Sequence, residues 1–388
     1  MAVGESWMKI AILRTFSIAA SAVLSSICLA GSLRIEREVI LPAPHSMQAL
    51  SIVQANDGDL LILGTTDQVG SRAWATRLSP TGQPRWDFLG PPSEVFRGRL
   101  INDQSFVGAI ELPNQQTLLC GHMPANNRRT AVLIRLAPDG SVISETEVPA
   151  VRDNSVITIY SCHKTPDGIL LVGSASGLPA GTGWMVKLNW DLEVLWTHFS
   201  DDYGTGDYSD APDHISAVGW HDQSYFVEKT AFDGSVVAKK LLPIEVTPNL
   251  VRGSVDDPNV YVALFDSNDL TEIWTFDDKL RGPTRKLRLH NVGVKKAIEL
   301  PDRSILMLGS KNIGLLAPIP VAAFTRVSGD GSYKTSVVGA QSQSLWYDDG
   351  VLINNGTEVA AIRQGAVEPG ENGQPGRRQA IVDWIALK

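Results

Sequence analysis

A short hairpin grammar recurs along this chain, and it leaves few folds open. Residues 47–90 display it in full. A strand over 49–54 meets a turn at Asn56-Asp57-Gly58, and an apolar run over 60–64 follows. A third strand over 73–78 reaches a turn at Ser79-Pro80-Thr81-Gly82, and a fourth spans 84–88. β-Branched, aromatic and aliphatic residues between Gly, Asp, Asn and Pro punctuation mark successive hairpins. One such sheet cannot bury both of its faces alone, so copies must stack.

A marker on the third strand sets the register. It is a basic residue, an apolar residue after it, and a glycine five positions beyond the basic one. Arg77…Gly82, Arg135…Gly140 and Arg326…Gly331 carry all of it, and Lys229…Gly234 keeps the base and the glycine. Lys187…Leu192 and Thr275…Leu280 keep the strand with leucine in the glycine's place. Successive markers lie roughly 40 to 60 residues apart, the length of a four-stranded propeller blade with variable loops. First strands with their turns recur at 105–116, 156–168, 292–303 and 345–356. The unit around Lys229 is the exception: its inner strands must come from 213–220, and its first strand is hard to find.

Residues 379–388 form a seventh third-type strand with no fourth strand after it, whereas residues 33–41 are an orphan strand ahead of the first unit. Pairing the two removes both unpaired edges. The expectation is an all-β protein, a seven-bladed β-propeller over residues 31–388, with six or eight blades as alternatives. The N-terminal strand closes its last blade.

The repeat, a turn Asp-Gly, an apolar strand, a basic residue with leucine and a turn glycine before tryptophan, resembles the repeats of bacterial exported β-propellers. The segment from Leu78 to Phe88 is similar to the outer hairpin of quinoprotein-type repeats, found in pyrroloquinoline-quinone dehydrogenases and in a periplasmic outer-membrane assembly scaffold. This resemblance implies an architecture and is nearly silent on function.

Composition narrows the partners. The chain has 388 residues, 43% of them hydrophobic and 20% charged, with net charge −8, and no basic run. Nucleic acid and anionic lipid surfaces are therefore disfavoured as partners. Residues 1–30 read as a secretory signal peptide: Lys9 and Arg14 precede a short apolar run over 16–30 that ends in small residues. Cleavage would leave no transmembrane span and a periplasmic or secreted protein, working as a monomer. Cys120 and Cys162 then remain. In an oxidising compartment they could form a disulfide; each precedes a histidine by one or two positions (His122, His163), so a mixed metal site and plain core thiols stay open.

Trp74, Trp86, Trp184 and Trp196 recur at equivalent repeat positions and read as packing between blades. The most unusual segment is 200–214, SDDYGTGDYSDAPDH, read as a connecting loop. Asp201, Asp202, Tyr203, Asp207, Tyr208 and Asp210 make it the candidate partner-binding site, with the tyrosines as anchors. A solvated acidic connection is the plain alternative. A Ca²⁺ site on Asp201, Asp207 and Asp213 is another, although the spacing departs from the EF-hand loop. No other cofactor is indicated. His198 and His214 flank the segment as candidate acid–base groups. Residues 368–378 and 317–321 read as further loops. No nucleophile elbow, zinc-protease helix or phosphate-binding loop is present. The sequence thus points to a protein-binding or scaffolding module, with an enzyme bearing an axial site as the rival.

Overall fold

The computed structural model describes residues 33–41, 47–66, 72–91, 95–96, 99–100, 104–125, 128–148, 156–176, 182–200, 203–210, 213–221, 224–243, 248–251, 259–265, 270–313, 319–328, 331–338, 346–365 and 379–387. The candidate leader and the loop at 368–378 lie outside them. Of the expected insertion at 317–321, the described part belongs to the strand Ile319–Val327. No helix among the described residues is long and apolar enough to cross a membrane.

Seven four-stranded antiparallel sheets form a ring. Blades 1 to 7 begin with the strands Met47–Gln54, Ser105–Glu111, Val156–Thr165, Tyr203–Asp210, Pro248–Val251, Val292–Glu299 and Tyr347–Ile353. These first strands adjoin one another all the way round, from blade 1 through blade 7 and back, so they surround the axis. Blade 7 takes its outer strand from the N-terminus: Arg34–Ile40 pairs antiparallel with Ala380–Ala386, Arg34 opposite Ala386 and Ile40 opposite Ile381. The expected closure is the observed one.

Alternation explains the core. Leu60, Leu61, Ile62 and Leu63 on the second strand of blade 1 are all fully buried. Leu60 and Ile62 face blade 7, while Leu61 and Leu63 face blade 2. Successive strand side chains point to opposite faces, so a strand buried on both sides reads as a continuous apolar run. Trp74 packs into the core between blades 7 and 1, and Trp86 into the core between blades 1 and 2.

The marker also has a physical basis. The positions of Gly82, Gly140, Leu192, Gly234, Leu280 and Gly331 all have positive φ, between 55° and 92°. Each closes a tight turn between the third and fourth strands by donating its N–H three residues back, as Gly82 does to Ser79. A glycine there also leaves room for the neighbouring blade: a Cβ on Gly140 would lie 2.7 Å from Trp86 of blade 1. The basic residue reaches the other turn of its own blade. Arg77 donates to Asp59 (2.8 Å) and Asp57 (2.7 Å), Lys187 to Asp167 (2.5 Å), and Arg326 to Asp302 (2.5 Å). Arg135 faces a turn without an acid and donates instead to the Trp190 carbonyl of blade 3.

Blade 7 departs from the pattern. Gly64, Gly121, Gly173 and Gly309 sit where the first and second strands approach most closely; a Cβ on Gly64 would lie 2.0 Å from the Gln48 carbonyl oxygen. Blade 7 has Arg363 at that register, opposite Tyr347. Arg363 is fully buried and donates to Asp383 Oδ2 (2.6 Å), which also accepts from the Tyr347 hydroxyl (2.6 Å). Its Nη2 also donates to Glu38 of the N-terminal strand. The polar ladder therefore crosses all four strands of the closing blade.

Removing one partner of a buried ion pair strands the other charge, at about 3–5 kcal/mol. Urea unfolding of Arg363→Met should show a loss of that order, whereas Arg34→Ala, whose contact with Glu36 is exposed, should shift the midpoint little.

Candidate functional site

The axis is built from a shared irregularity. Six of the seven first strands slip register at the same place: between Ala49 and Ser51, Phe106 and Gly108, Ile159 and Ser161, Gly204 and Asp207, Val294 and Lys296, and Tyr347 and Asp349. A bulge re-aims the residue that follows it. Ser51, Gly108, Ser161, Asp207, Lys296 and Asp349 are thus register equivalents at one level of the ring.

On one arc these positions form a polar chain through three blades. Lys296 Nζ of blade 6 lies 3.3 Å from Asp349 Oδ1 of blade 7. Asp349 Oδ2 accepts from Ser51 Oγ and from the Ile52 N–H of blade 1, each at 3.1 Å. Asp349 is only 4% exposed, and a cation with two donors offsets the cost of burying its charge. On the adjoining arc the absent side chain of Gly108 makes room: a Cβ there would lie 2.9 Å from Cys162 Sγ. Cys162 of blade 3 is joined to Cys120 of blade 2 as a disulfide, with Cα atoms 6.3 Å apart.

Between the two arcs lies a cavity of about 300 Å³, walled by first strands of blades 1, 2, 3, 6 and 7. Its carboxylates are engaged. Glu111 Oε2 accepts from the Asn56 N–H at 2.5 Å, and its Oε1 lies 3.7 Å from Arg77. His163 Nε2 bonds Ser161 Oγ at 2.7 Å. Both cysteines are taken up by the disulfide, and His122 Nε2 lies 3.2 Å from Ser105 Oγ.

Two titrating groups, on the second strand of blade 2 and the first strand of blade 7, shift in opposite directions. Burial pushes His122 down to about 4, against a backbone hydrogen bond at Ile159. Burial pushes Asp348 up to about 6, although Gln364 (3.0 Å) and Trp346 (2.6 Å) donate to it.

The candidate partner-binding residues fall elsewhere than expected. Asp201 and Asp202 lie outside the described residues. Residues 203–210 are no loop. Tyr203, Asp207, Tyr208 and Asp210 belong to the first strand of blade 4, paired with His214–His221, Asp207 opposite Val218 and Asp210 opposite Ile215. The pairing of the neighbouring strand overrides the weak β-propensity of its glycines and aspartates. Of the calcium trio, Asp207 is within the strand and Asp213 lies beyond its end, where its Oδ1 is 2.6 Å from His214 Nδ1. Among the described residues no three His, Cys, Asp or Glu side chains gather as a metal site. His198 is exposed on the outer strand of blade 3, away from His214 on the second strand of blade 4.

Sequence reasoning missed the axial set. Its signal was Lys295-Lys296 and Asp348-Asp349, opposite charges at the same register of first strands that adjoin.

The fold defines the chain as a seven-bladed β-propeller. It is similar to the WD40 domain of Toxoplasma gondii coronin, with TM-score 0.55 and 11% identity over 93% of this chain and 88% of that one. The Dos1 propeller matches with TM-score 0.54 and 8% identity over 92% and 95%. Polysaccharide lyase Uly1 matches with TM-score 0.54 and 10% identity over 89% and 91%. At such identities the likeness is one of fold alone. No protein-family model and no curated protein sequence matches the chain.

The two shifted groups oppose each other in acid. The lowered pKa of His122 gives stability that is complete above about 6.5 and lost as pH falls through about 4. The raised pKa of Asp348 gives stability present below 3.8 and lost as pH rises through about 6. Urea unfolding at pH 4.5, 5.5 and 6.5 should therefore show Asp348→Asn losing stability with acid more steeply than wild type. His122→Gln should lose it less steeply.

Proposed function

We propose that this protein is an exported, non-catalytic propeller that binds a protein partner on the hairpin-turn end of blades 2, 3 and 4. One observation carries the reading. The outer strands of these blades begin with exposed aliphatic pairs, Val142-Ile143, Val194-Leu195 and Val236-Val237, each side chain between 43% and 60% exposed. All three pairs start two residues after the left-handed turn position, so they share one end of the ring. The fold does not require them: blade 1 has Pro84-Arg85 there, and blade 6 has Tyr333-Lys334. Apolar side chains in contiguous exposed positions mark interaction surfaces.

Other features support the remaining parts of the reading. The engaged state of Asp349 and Glu111 suits a role in holding blades together. The basic and apolar leader and the Cys120–Cys162 disulfide fit an oxidising compartment outside the cytoplasm.

The test is capture of partners from envelope extract by the mature protein and by an Ile143→Ser/Leu195→Ser/Val237→Ser variant. A stoichiometric protein should be retained by the wild type and lost by the variant, with unchanged thermal unfolding. Equal capture by both, or no partner for either, would sink the reading.

A further inference from the structure

The aliphatic pairs of blades 2, 3 and 4 stand beside negative charge. Each pair follows a turn that carries exposed carboxylates: Asp139 before Val142, Asp191 and Glu193 before Val194, and Asp233 before Val236. Hydrogen bonds from Ser141 and Ser235 hold Asp139 and Asp233 below the usual carboxylate range, so both stay ionised through mildly acid conditions. In blade 3 the turn is capped by Asn189, whose Oδ1 accepts from the Asp191 and Glu193 N–H groups. The turn therefore does not need the Asp191 carboxylate.

The bases on the third strands that lead into these turns do not neutralise the carboxylates. Lys187 and Lys229 are almost wholly buried, and Arg135 reaches the Trp190 carbonyl. The other blades lack one half of this combination. The corresponding turn of blade 1 has no acid and is followed by Arg85. Blade 5 has Asp277, paired with Arg281 at 2.7 Å, and Asp278, but Gly282-Pro283 follows; in blade 6 Asp330 is followed by Tyr333-Lys334. Carboxylates and exposed aliphatic pairs therefore coincide on blades 2, 3 and 4.

We infer that this arc docks a basic, amphipathic protein segment, whose lysines or arginines meet the turn carboxylates while its aliphatic side chains cover the exposed pairs. The inference rests on the protein-binding reading above and specifies the partner's chemistry. Charge complementarity selects the class: a rim of fixed negative charge steers cations towards it and repels acidic partners. It also disfavours a second copy of this chain through the same arc, since that contact would set carboxylate against carboxylate. Each half-exposed aliphatic side chain that becomes covered strengthens binding. The pairs thus supply affinity, and the carboxylates supply orientation and choice.

Two designed helical peptides of equal length test this by fluorescence anisotropy, one of leucine and lysine and one of leucine and glutamate. The leucine–lysine peptide should bind, progressively less as salt is added, and the leucine–glutamate peptide should not. The Ile143→Ser/Leu195→Ser/Val237→Ser variant should weaken binding about tenfold or more, by loss of apolar burial. An Asp139→Asn/Asp191→Asn/Glu193→Gln/Asp233→Asn variant keeps the side-chain acceptor of each turn and should weaken it to a similar degree, about tenfold. Equal or tighter binding of the leucine–glutamate peptide would overturn the inference, as would wild-type binding by the four-carboxylate variant or no binding of either peptide. In each case the envelope capture separately decides whether the protein-binding reading stands.

Discussion

The second strand of blade 1 is apolar on both faces, so that sheet is satisfied only with a neighbour on either side. This constraint turns a row of hairpins into a ring. The seven cores each lie between two sheets, and the last of them to form needs a complete blade 7. Its outer edge is filled by Arg34–Ile40, and the buried ladder of Tyr347, Arg363, Asp383 and Glu38 ties that borrowed strand to the other three. The position that takes a glycine in blades 1 to 4 and 6 takes a buried arginine here.

The same ring leaves two surfaces for function, and they differ in kind. At the axis, register slips bring Lys296, Asp349 and Ser51 together, and the groups there satisfy one another. At the rim of blades 2 to 4, aliphatic side chains and carboxylates remain turned to solvent. A buried ion pair chiefly fixes relative position, whereas exposed apolar surface beside fixed charge can be covered by something else. Fold likeness cannot choose between such uses, because a WD40 domain and a polysaccharide lyase superpose on this chain about equally well.

The repeats were legible because turns impose local chemistry. A residue five places past the marker base must adopt positive φ, and glycine does so at least strain. Leu192 and Leu280 show that the register persists where the residue type does not. Blade 4 was harder to read because Gly204, Gly206 and the aspartates erase the alternation that marks a strand; its place is set by His214–His221 beside it. The axial set was hidden for another reason. Ser51 and Asp349 are 298 positions apart and become neighbours only after the ring closes and a one-residue slip in each strand is counted. The exposed aliphatic pairs stood in the sequence, but only burial separates them from core residues.

The borrowed strand also orders events in time. Arg34–Ile40 leaves the ribosome before blades 1 to 6, yet its partner, Ala380–Ala386, emerges only after them. Until then that strand is an open edge, the kind of segment that seeks the wrong neighbour. Arg34, Glu36, Arg37 and Glu38 place four charges among its seven residues. Charges of this density act as gatekeepers against aggregation, and they keep the segment available while the other blades assemble.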